Sequence, residues 1–579
     1  MRPRSRAARL AVVGTLTLAT WLIGGYSFGE WPQLFPLEHI LKLNGTLQGD
    51  WYTAHAAPHW VFDHALALLP AAALAPAFAL LWVAGVALFW SAFAALACDL
   101  GVPEAGIVAA GLIGVRTSFT GFGETSLLMS SLYPSSLACA AWLFALRYAL
   151  GGQALPAGLW TGAALLIHPQ AGLLALLTTA PVVARLAGPG RALRYLGVAL
   201  VTGGLALARL IADLRLHEPL SALERFDLLA RVRLPHHLLY RAFPAQEYAA
   251  VALWALALGV ALARLRSASA ELAARLSGWN VLLGSFALVC LAGAIASSLG
   301  RPLALVELQT ARLSAWIPLL GVLAAAAALT QGRPVSGTLA LFAVPVFAGL
   351  LAPLVRSPLA RTGIGALPWH ALQAPVLIAL MLATPTTRAS RPWWMFWRAR
   401  APSAVPVTGR YGWRAIGAAV VLVALAFPAT GWRGVPRMHG AGDWRAIAAE
   451  TRRHSQPTDI VLTPPDLDGF SFYSHRPIVV NFGEVAHDDL AGWRDRMDAV
   501  TGQAGLLSPD LDLGAEGRSA RIASAYDSTV ARAPGLIRRY GVKFVVARRA
   551  ALAGPPVWAD PVAANPTYVL LKVRSEVLE

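Results

Sequence analysis

A small set of polar side chains stands out against an otherwise apolar chain. Asp50 lies in the stretch Leu43 to Trp60 (LNGTLQGDWYTAHAAPHW), directly before Trp51 and Tyr52, with His55 and His59 close behind. A carboxylate beside an apolar environment can take a proton from a hydroxyl as a general base, or hold a divalent metal against a phosphate. The same residue fits equally well as the N-cap of a helix starting at Trp51. Glu124 lies in RTSFTGFGETS, residues 116–126. Gly121 and Gly123 make no dinucleotide fingerprint there, because the sixth position is Ser126 and no strand comes first. Irregular polar backbone between apolar segments is tolerated where it lines protein or a wet cavity. The plainer reading of this stretch is an external turn.

Three basic groups could hold an anion. His168 precedes Pro169 at the end of an apolar run, where a histidine binds phosphate, shuttles protons or simply caps a helix break. His236 and His237 follow Arg233-Leu234-Pro235 in a long loop, and a cation with imidazoles suits phosphate. Arg301 and Arg312 flank the entrance of another apolar run, where arginine clamps a phosphate or snorkels to a lipid headgroup. No HExxH and no Cys/His zinc spacing occurs. Asp466-Leu467-Asp468-Gly469 opens like a calcium loop but lacks the downstream pattern, so it reads as a turn.

These groups must be positioned by membrane helices. The 579 residues are 56% hydrophobic and 14% charged, with a mean hydropathy of +0.55, whereas a soluble protein is about 25% charged. Apolar runs long enough to span a bilayer recur through the first three quarters of the chain. About thirteen spans are expected, near 10–27, 72–98, 104–116, 132–150, 155–168, 170–184, 195–212, 248–265, 279–298, 313–330, 337–355, 368–385 and 413–430. The basic start, MRPRSRAARL, and the apolar run after it read as an uncleaved first span. The basic, Trp-rich segment Arg388 to Arg414 reads as an interfacial loop. Cys98, Cys139 and Cys290 read as packing residues in or beside apolar segments.

The formal charge of +17 is not a nucleic-acid signature. Residues 1–439 carry 32 of the 48 basic residues and only 14 of the 31 acids, so the excess belongs to the membrane part. There it sets topology, and the basic start argues for a cytoplasmic N-terminus. Alternating the spans from that end places Asp50, Glu124, His168, His236, His237 and Arg312 on the external face. Candidates that could have scattered over two faces gather on one.

From about His439 the sequence turns into that of a soluble α/β domain. Asp443 to His454 has the pattern of an amphipathic helix. Strands are expected at Asp459 to Thr463, Arg476 to Asn481, Val542 to Ala547 and Tyr568 to Val573, with a helix at Pro534 to Tyr540. The expected organisation is therefore a mainly α polytopic membrane domain, residues 1–435, with an external loop at 28–70, and an extracytoplasmic α/β domain, residues 436–579.

This arrangement resembles the GT-C superfamily of integral-membrane glycosyltransferases. The likeness is carried by the first external loop with Asp50 in GDWY, by Gly123-Glu124, by His168-Pro169 and by Pro235-His236-His237. In the tail it is carried by Asp443-Trp444, Thr463-Pro464-Pro465, Gly469-Phe470 and His475-Arg476-Pro477. The resemblance implies transfer of a sugar from a polyprenyl-phosphate donor, with Asp50 as catalytic base or metal ligand. Tyr52 stands where many members carry the second acid of an Asp-x-Asp pair. A divalent cation, Mg or Mn, is the only cofactor the resemblance suggests.

The expected function is thus glycosyl transfer on the external face of a bacterial inner membrane. Asp50 and Glu124 are the catalytic candidates. Trp51, Tyr52, His168, His236, His237, Arg301 and Arg312 are the substrate-binding ones. The partners would be a polyprenyl-phosphate sugar, membrane lipids and a saccharide, lipid or protein acceptor, with no nucleic acid. A transporter or lipid-handling protein without catalysis is the rival. Repeated halves and polar groups at mid-membrane would mark it, and neither is visible in the sequence.

Overall fold

The computed structural model describes residues 6–29, 31–55, 59–215, 220–268, 273, 276–330, 369–384, 437–438, 442–511, 515–530 and 533–578. The chain is mainly helical. Among the described residues, seven helices are long and apolar enough to cross a membrane: Arg6–Gly24, Ala71–Asp99, Pro169–Ala187, Pro189–Ala212, Ala245–Ala268, Ser277–Leu299 and Leu303–Thr330. Shorter apolar helices at Glu104–Val115, Ala154–Ile167 and Gln373–Ala383, and one at Pro134–Leu150, match four more of the expected segments. The expected spans 337–355 and 413–430 and the linker Arg388 to Arg414 lie outside the described residues.

The packing follows the apolar pattern. Helix Trp316–Thr330 is apolar all round and is buried on nearly every side, as a helix without a polar face must be. The helices α8 (Ala154–Ile167) and α9 (Pro169–Ala187) are separated only by His168, whose backbone is extended at φ −148 and ψ 97. Pro169 sets this break. It disfavours helical geometry in the residue before it, yet it fits the first turn of α9. A buried hydrogen bond of 3.0 Å between the Thr161 and Tyr195 hydroxyls ties α8 to the helix Pro189–Arg215.

The first loop is more structured than the sequence suggested. It holds helices at Trp31–Leu43, Trp51–Ala54 and Trp60–Ala67. Its start, Ser27–Phe28, pairs in parallel with Arg437–Met438, which precedes the C-terminal domain.

That domain is a four-stranded sheet between two helical layers. With strands βA (Ile460–Leu462), βB (Val542–Arg548), βC (Ala559–Ala564) and βD (Tyr568–Val573), the order is βA-βB-βD-βC. βA and βB are parallel and the other pairs antiparallel. Alternate residues face opposite layers. Val461, Phe544, Val546 and Leu570 pack with Ile447 of helix Asp443–His454. Leu462, Val545 and Leu571 pack with Trp493, Ile522 and Ile537 of the helices opposite.

One expected strand is corrected. Arg476 to Asn481 makes only a single bridge, Ile478 to Val461. Beyond that bridge the Val479 carbonyl, which the next rung would use, accepts from Arg496 at 3.1 Å, and on the opposite edge the Ile478 amide donates to Asp50 of the membrane domain.

Candidate functional site

Asp50 caps helix Trp51–Ala54. Its Oδ2 accepts from the Thr53 amide at 3.0 Å and its Oδ1 from the Ile478 amide at 3.1 Å. The side chain is 3% exposed. Burial pushes its pKa up, while the two amides and nearby Lys42 pull the other way. The carboxylate thus joins the first loop to the C-terminal domain. The surrounding contacts do the same. His55 lies 3.3 Å from Asp488, Tyr473 Oη donates to the Gly29 carbonyl at 2.9 Å, and Trp51 packs under the Arg496 guanidinium at 4.8 Å.

Two further acids meet beside Asp50. Glu38, on helix Trp31–Leu43, accepts from Ser471 Oγ. Glu484, from the C-terminal domain, accepts from the Gly469 amide at 3.0 Å. Both are wholly or nearly wholly buried. Each is raised by burial and by neighbouring negative charge, and the two carboxyls lie close enough to share a proton. Two carboxyls sharing one proton avoid placing two like charges side by side in a dry site.

A second group has the opposite character. The His59 Nε2 lies 3.2 Å from Tyr133 Oη, and the rings of His59 and His168 are 4.8 Å apart. His168 Nδ1 accepts from the Ala171 amide at 3.2 Å as the N-cap of α9, so its proton sits on Nε2. Arg312 stands within electrostatic reach of His59, Tyr133, His168 and His237. Burial pushes His59 down to about 3, with His39 and Arg312 adding to it. At neutral pH His59 is therefore an uncharged hydrogen-bonding group, and Arg312 carries the fixed charge. No carboxylate pairs with Arg312 among the described residues.

The loop of Glu124 is pressed between the elements carrying His236 and Arg312. A Cβ on Gly123, which has φ +62, would meet the His236 carbonyl at 2.1 Å. One on Gly121 would meet Ser314 Oγ at 2.3 Å. Glycine is what permits this approach. The Phe122 amide donates to Ser314 Oγ at 2.7 Å. Glu124 itself ends the short turn Phe122–Glu124. A cavity of about 300 Å³ with a mixed polar and apolar lining adjoins the same loop at Ser118 and Ser126, and no predicted site residue lines it.

Tyr52 and Arg233 connect the acidic and basic groups. Buried Tyr52 interacts electrostatically with Glu38 and Glu484 on one side and with Tyr133 and Asp63 on the other. Arg233 donates to the Gly483 carbonyl at 2.7 Å. It is within reach of Asp468 and Glu484 and also of His237. The polar groups therefore form one buried seam between the end of the helix bundle and the C-terminal domain.

The structure brings Asp50, Tyr52, His168, His237 and Arg312 into this seam, with the backbone of Glu124 and His236 against it and Trp51 at its edge. Arg301 stands apart. It is exposed, and no hydrogen bond or ion pair links it to the seam among the described residues. The seam suits a divalent cation poorly. No group of three or more His, Cys, Asp or Glu is arranged to hold a metal among the described residues, and Arg312 places a fixed positive charge beside the two imidazoles.

Four participants went unread in the sequence: Glu38, Asp63, Tyr133 and Glu484. Asp63 is 0% exposed, burial raises its pKa well above the usual range, and neither of its oxygens has a hydrogen-bond partner. The one signal available was that Glu38 and Asp63 are acids inside apolar segments, WPQLFPLEHILKL and WVFDHALA.

A family model described as a domain of unknown function (DUF6798) matches residues 442–500, the part of the C-terminal domain that supplies Ser471, Ile478 and Glu484. A search of curated proteins finds no match. Among solved structures, the chain is similar to an archaeal oligosaccharyltransferase, AglB from Archaeoglobus fulgidus, in complex with an inhibitory peptide and a dolichol-phosphate. The identity is 12% over 93% of this chain and 69% of that one, with a TM-score of 0.37. A likeness at that level assigns no residue here.

Proposed function

We propose that this chain is a membrane glycosyltransferase that moves a sugar from a polyprenyl-phosphate donor to an acceptor hydroxyl, on the extracytoplasmic face of a bacterial inner membrane. The observation that carries the reading is Arg312. A guanidinium held beside His59, Tyr133 and His168, with its Nε unpartnered, needs an anion, because a buried charge without one is costly. Arginine and imidazole N–H groups match phosphate oxygens.

In this reading the acceptor oxygen bonds to the anomeric carbon as the carbon–oxygen bond to phosphate breaks. The bonding electrons pass to the phosphate, where Arg312 and the His168 Nε2–H stabilise the charge. A single displacement inverts the anomeric centre. The acceptor proton goes to the acidic end of the seam. Asp50 is the base suggested by its position in the chain, but its two oxygens already accept main-chain amides. The Glu38–Glu484 pair, with one oxygen of each side chain lacking a hydrogen-bond partner, is better placed to accept a proton, and Asp50 positions the loop against the domain. Glu124, on the turn between His236 and Ser314, orients substrate. The rival transporter reading has less support, because the polar groups lie at helix ends and not at mid-span.

The test is transfer by the purified protein in nanodiscs, with short-chain polyprenyl-phosphate hexoses as donors and a cell-envelope extract as acceptor. Release of polyprenyl phosphate is expected in wild type. Arg312→Ala should slow it by about 10²–10³-fold, as removal of one transition-state donor does. An Arg312→Ala variant as active as wild type would remove the basis of the reading.

A further inference from the structure

We propose that Asp63 binds the transferred sugar, accepting two of its neighbouring hydroxyls on its two carboxyl oxygens. This rests on the glycosyl-transfer reading and deepens it.

Asp63 lies one helical turn after His59, and its amide donates to the His59 carbonyl at 2.9 Å. His59 Nε2 meets Tyr133 Oη at 3.2 Å, and Asp63 and Arg312 both interact electrostatically with the same Tyr133. Asp63 is wholly buried and His59 is 3% exposed. Around Tyr133, three residues leave buried polar atoms unpartnered: Asp63 at both oxygens, His59 at Nδ1 and Arg312 at Nε. Buried polar atoms are nearly always hydrogen-bonded, so a cluster of orphans points to a missing ligand.

The polarity of those atoms selects the ligand. Arg312 Nε carries a hydrogen and seeks an acceptor, as a phosphate provides. A phosphate offers only acceptors at neutral pH, so it can take at most the proton of Asp63, whose pKa burial raises, and it leaves the other oxygen without a donor. A carboxyl with two free oxygens seeks donors, and two adjacent hydroxyls supply a pair at matching spacing. A ligand with an anionic end and a hydroxyl-bearing end satisfies all three residues, and a sugar phosphate is that ligand. Asp50, thirteen positions earlier, cannot play this part, since the Thr53 and Ile478 amides occupy both its oxygens.

The experiment compares equilibrium binding of two kinds of probe to the full-length protein in nanodiscs. One is short-chain prenyl phosphate. The other is the same lipid carrying mannose, glucose or galactose. Wild type should bind at least one glycosylated lipid more tightly than the bare one. Asp63→Asn should weaken that binding by about tenfold or more, the loss expected when a site built to hydrogen-bond hydroxyls loses an acceptor. It should leave bare prenyl phosphate within about twofold, and Arg312→Ala should weaken both. Asp63→Leu serves as a second variant with the same expected pattern, and thermal melting confirms that each variant is folded.

Equal effects of Asp63→Asn on both lipids, or none on either, would overturn the proposal. So would a variant that binds the sugar lipid like wild type but cannot turn it over, because Asp63 would then be a proton acceptor. Wild type that binds bare prenyl phosphate and no sugar form better also overturns it, while leaving the phosphate site standing. Wild type that binds neither lipid ends the glycosyl-transfer reading itself, and this proposal with it.

Discussion

Replacing Asp50 by Asn separates a base from a positioning group. The carboxylate accepts from Thr53 and from Ile478, one amide on each oxygen. Asn has a single side-chain acceptor oxygen, so one of the two amides loses its partner and meets an NH₂ group. Asn caps helices about as well as Asp, so Thr53 keeps its bond and the loss falls on Ile478. Leaving one buried donor unpaired costs about 1–3 kcal/mol. A middle value of about 2 kcal/mol corresponds to roughly 30-fold in an opening equilibrium, at about 1.4 kcal/mol per tenfold. Hydrogen exchange resolved at single amides should show Ile478 exchanging about 30-fold faster in Asp50→Asn, with Thr53 nearly unchanged. Asp50→Ala should lose the cap as well, by about 1 kcal/mol more, and expose both amides. Any loss of transfer should scale with this loosening. A variant whose transfer is abolished while Ile478 exchanges as in wild type would refute the argument, and Asp50 would be the base.

Two other variants bear on the seam. Glu484 is raised above the ordinary carboxylate range by burial and by Glu38. A carboxyl raised on folding contributes stability fully below its unfolded pKa, and that contribution is lost as pH rises toward the folded one. Thermal stability should therefore fall on going from about pH 4.3, the ordinary Glu value, toward alkaline pH, and Glu484→Gln should flatten that slope. A slope unchanged by the variant would show that the pair does not share a proton. Gly123→Ala places a methyl 2.1 Å from the His236 carbonyl at a φ of +62. Left-handed backbone costs a non-glycine residue about 1–2 kcal/mol, and overpacking adds about 1–3 kcal/mol. Transfer should drop and melting should fall by several degrees, with Ile478 exchange unaltered; a silent Gly123→Ala would mean the two loops are not tightly apposed.

The apolar elements were legible because long hydrophobic runs have few structural options in a membrane. The His168-Pro169 break was readable because proline restricts the residue before it. Both proposed ends of the site were only partly legible. Arg312 and His168 stood out as polar groups at span ends, and the structure joins them. Asp50 stood out as an acid in a loop and as a helix cap, which its bond to Thr53 makes locally, yet its bond to Ile478 depends on a chain segment more than 400 positions away. Glu38 was hidden for the same reason, as Ser471 lies 433 residues later. Asp63 was hidden because it sits in an apolar helix that resembles the approach to the next span. The strand expected at Arg476 to Asn481 has the right residues. Its ladder stops after one bridge, where the Val479 carbonyl accepts from Arg496, and its other edge meets Asp50, tertiary contacts that no local pattern encodes.

The most direct measurement is a cryo-EM map of the full-length protein in nanodiscs with a short-chain polyprenyl-phosphate hexose. Glycosyl transfer at this seam predicts phosphate density within hydrogen-bonding distance of Arg312 and His168, with the sugar ring toward Asp63 and the Glu38–Glu484 pair. Density for the lipid phosphate away from Arg312, with the seam closed and unchanged, would contradict it.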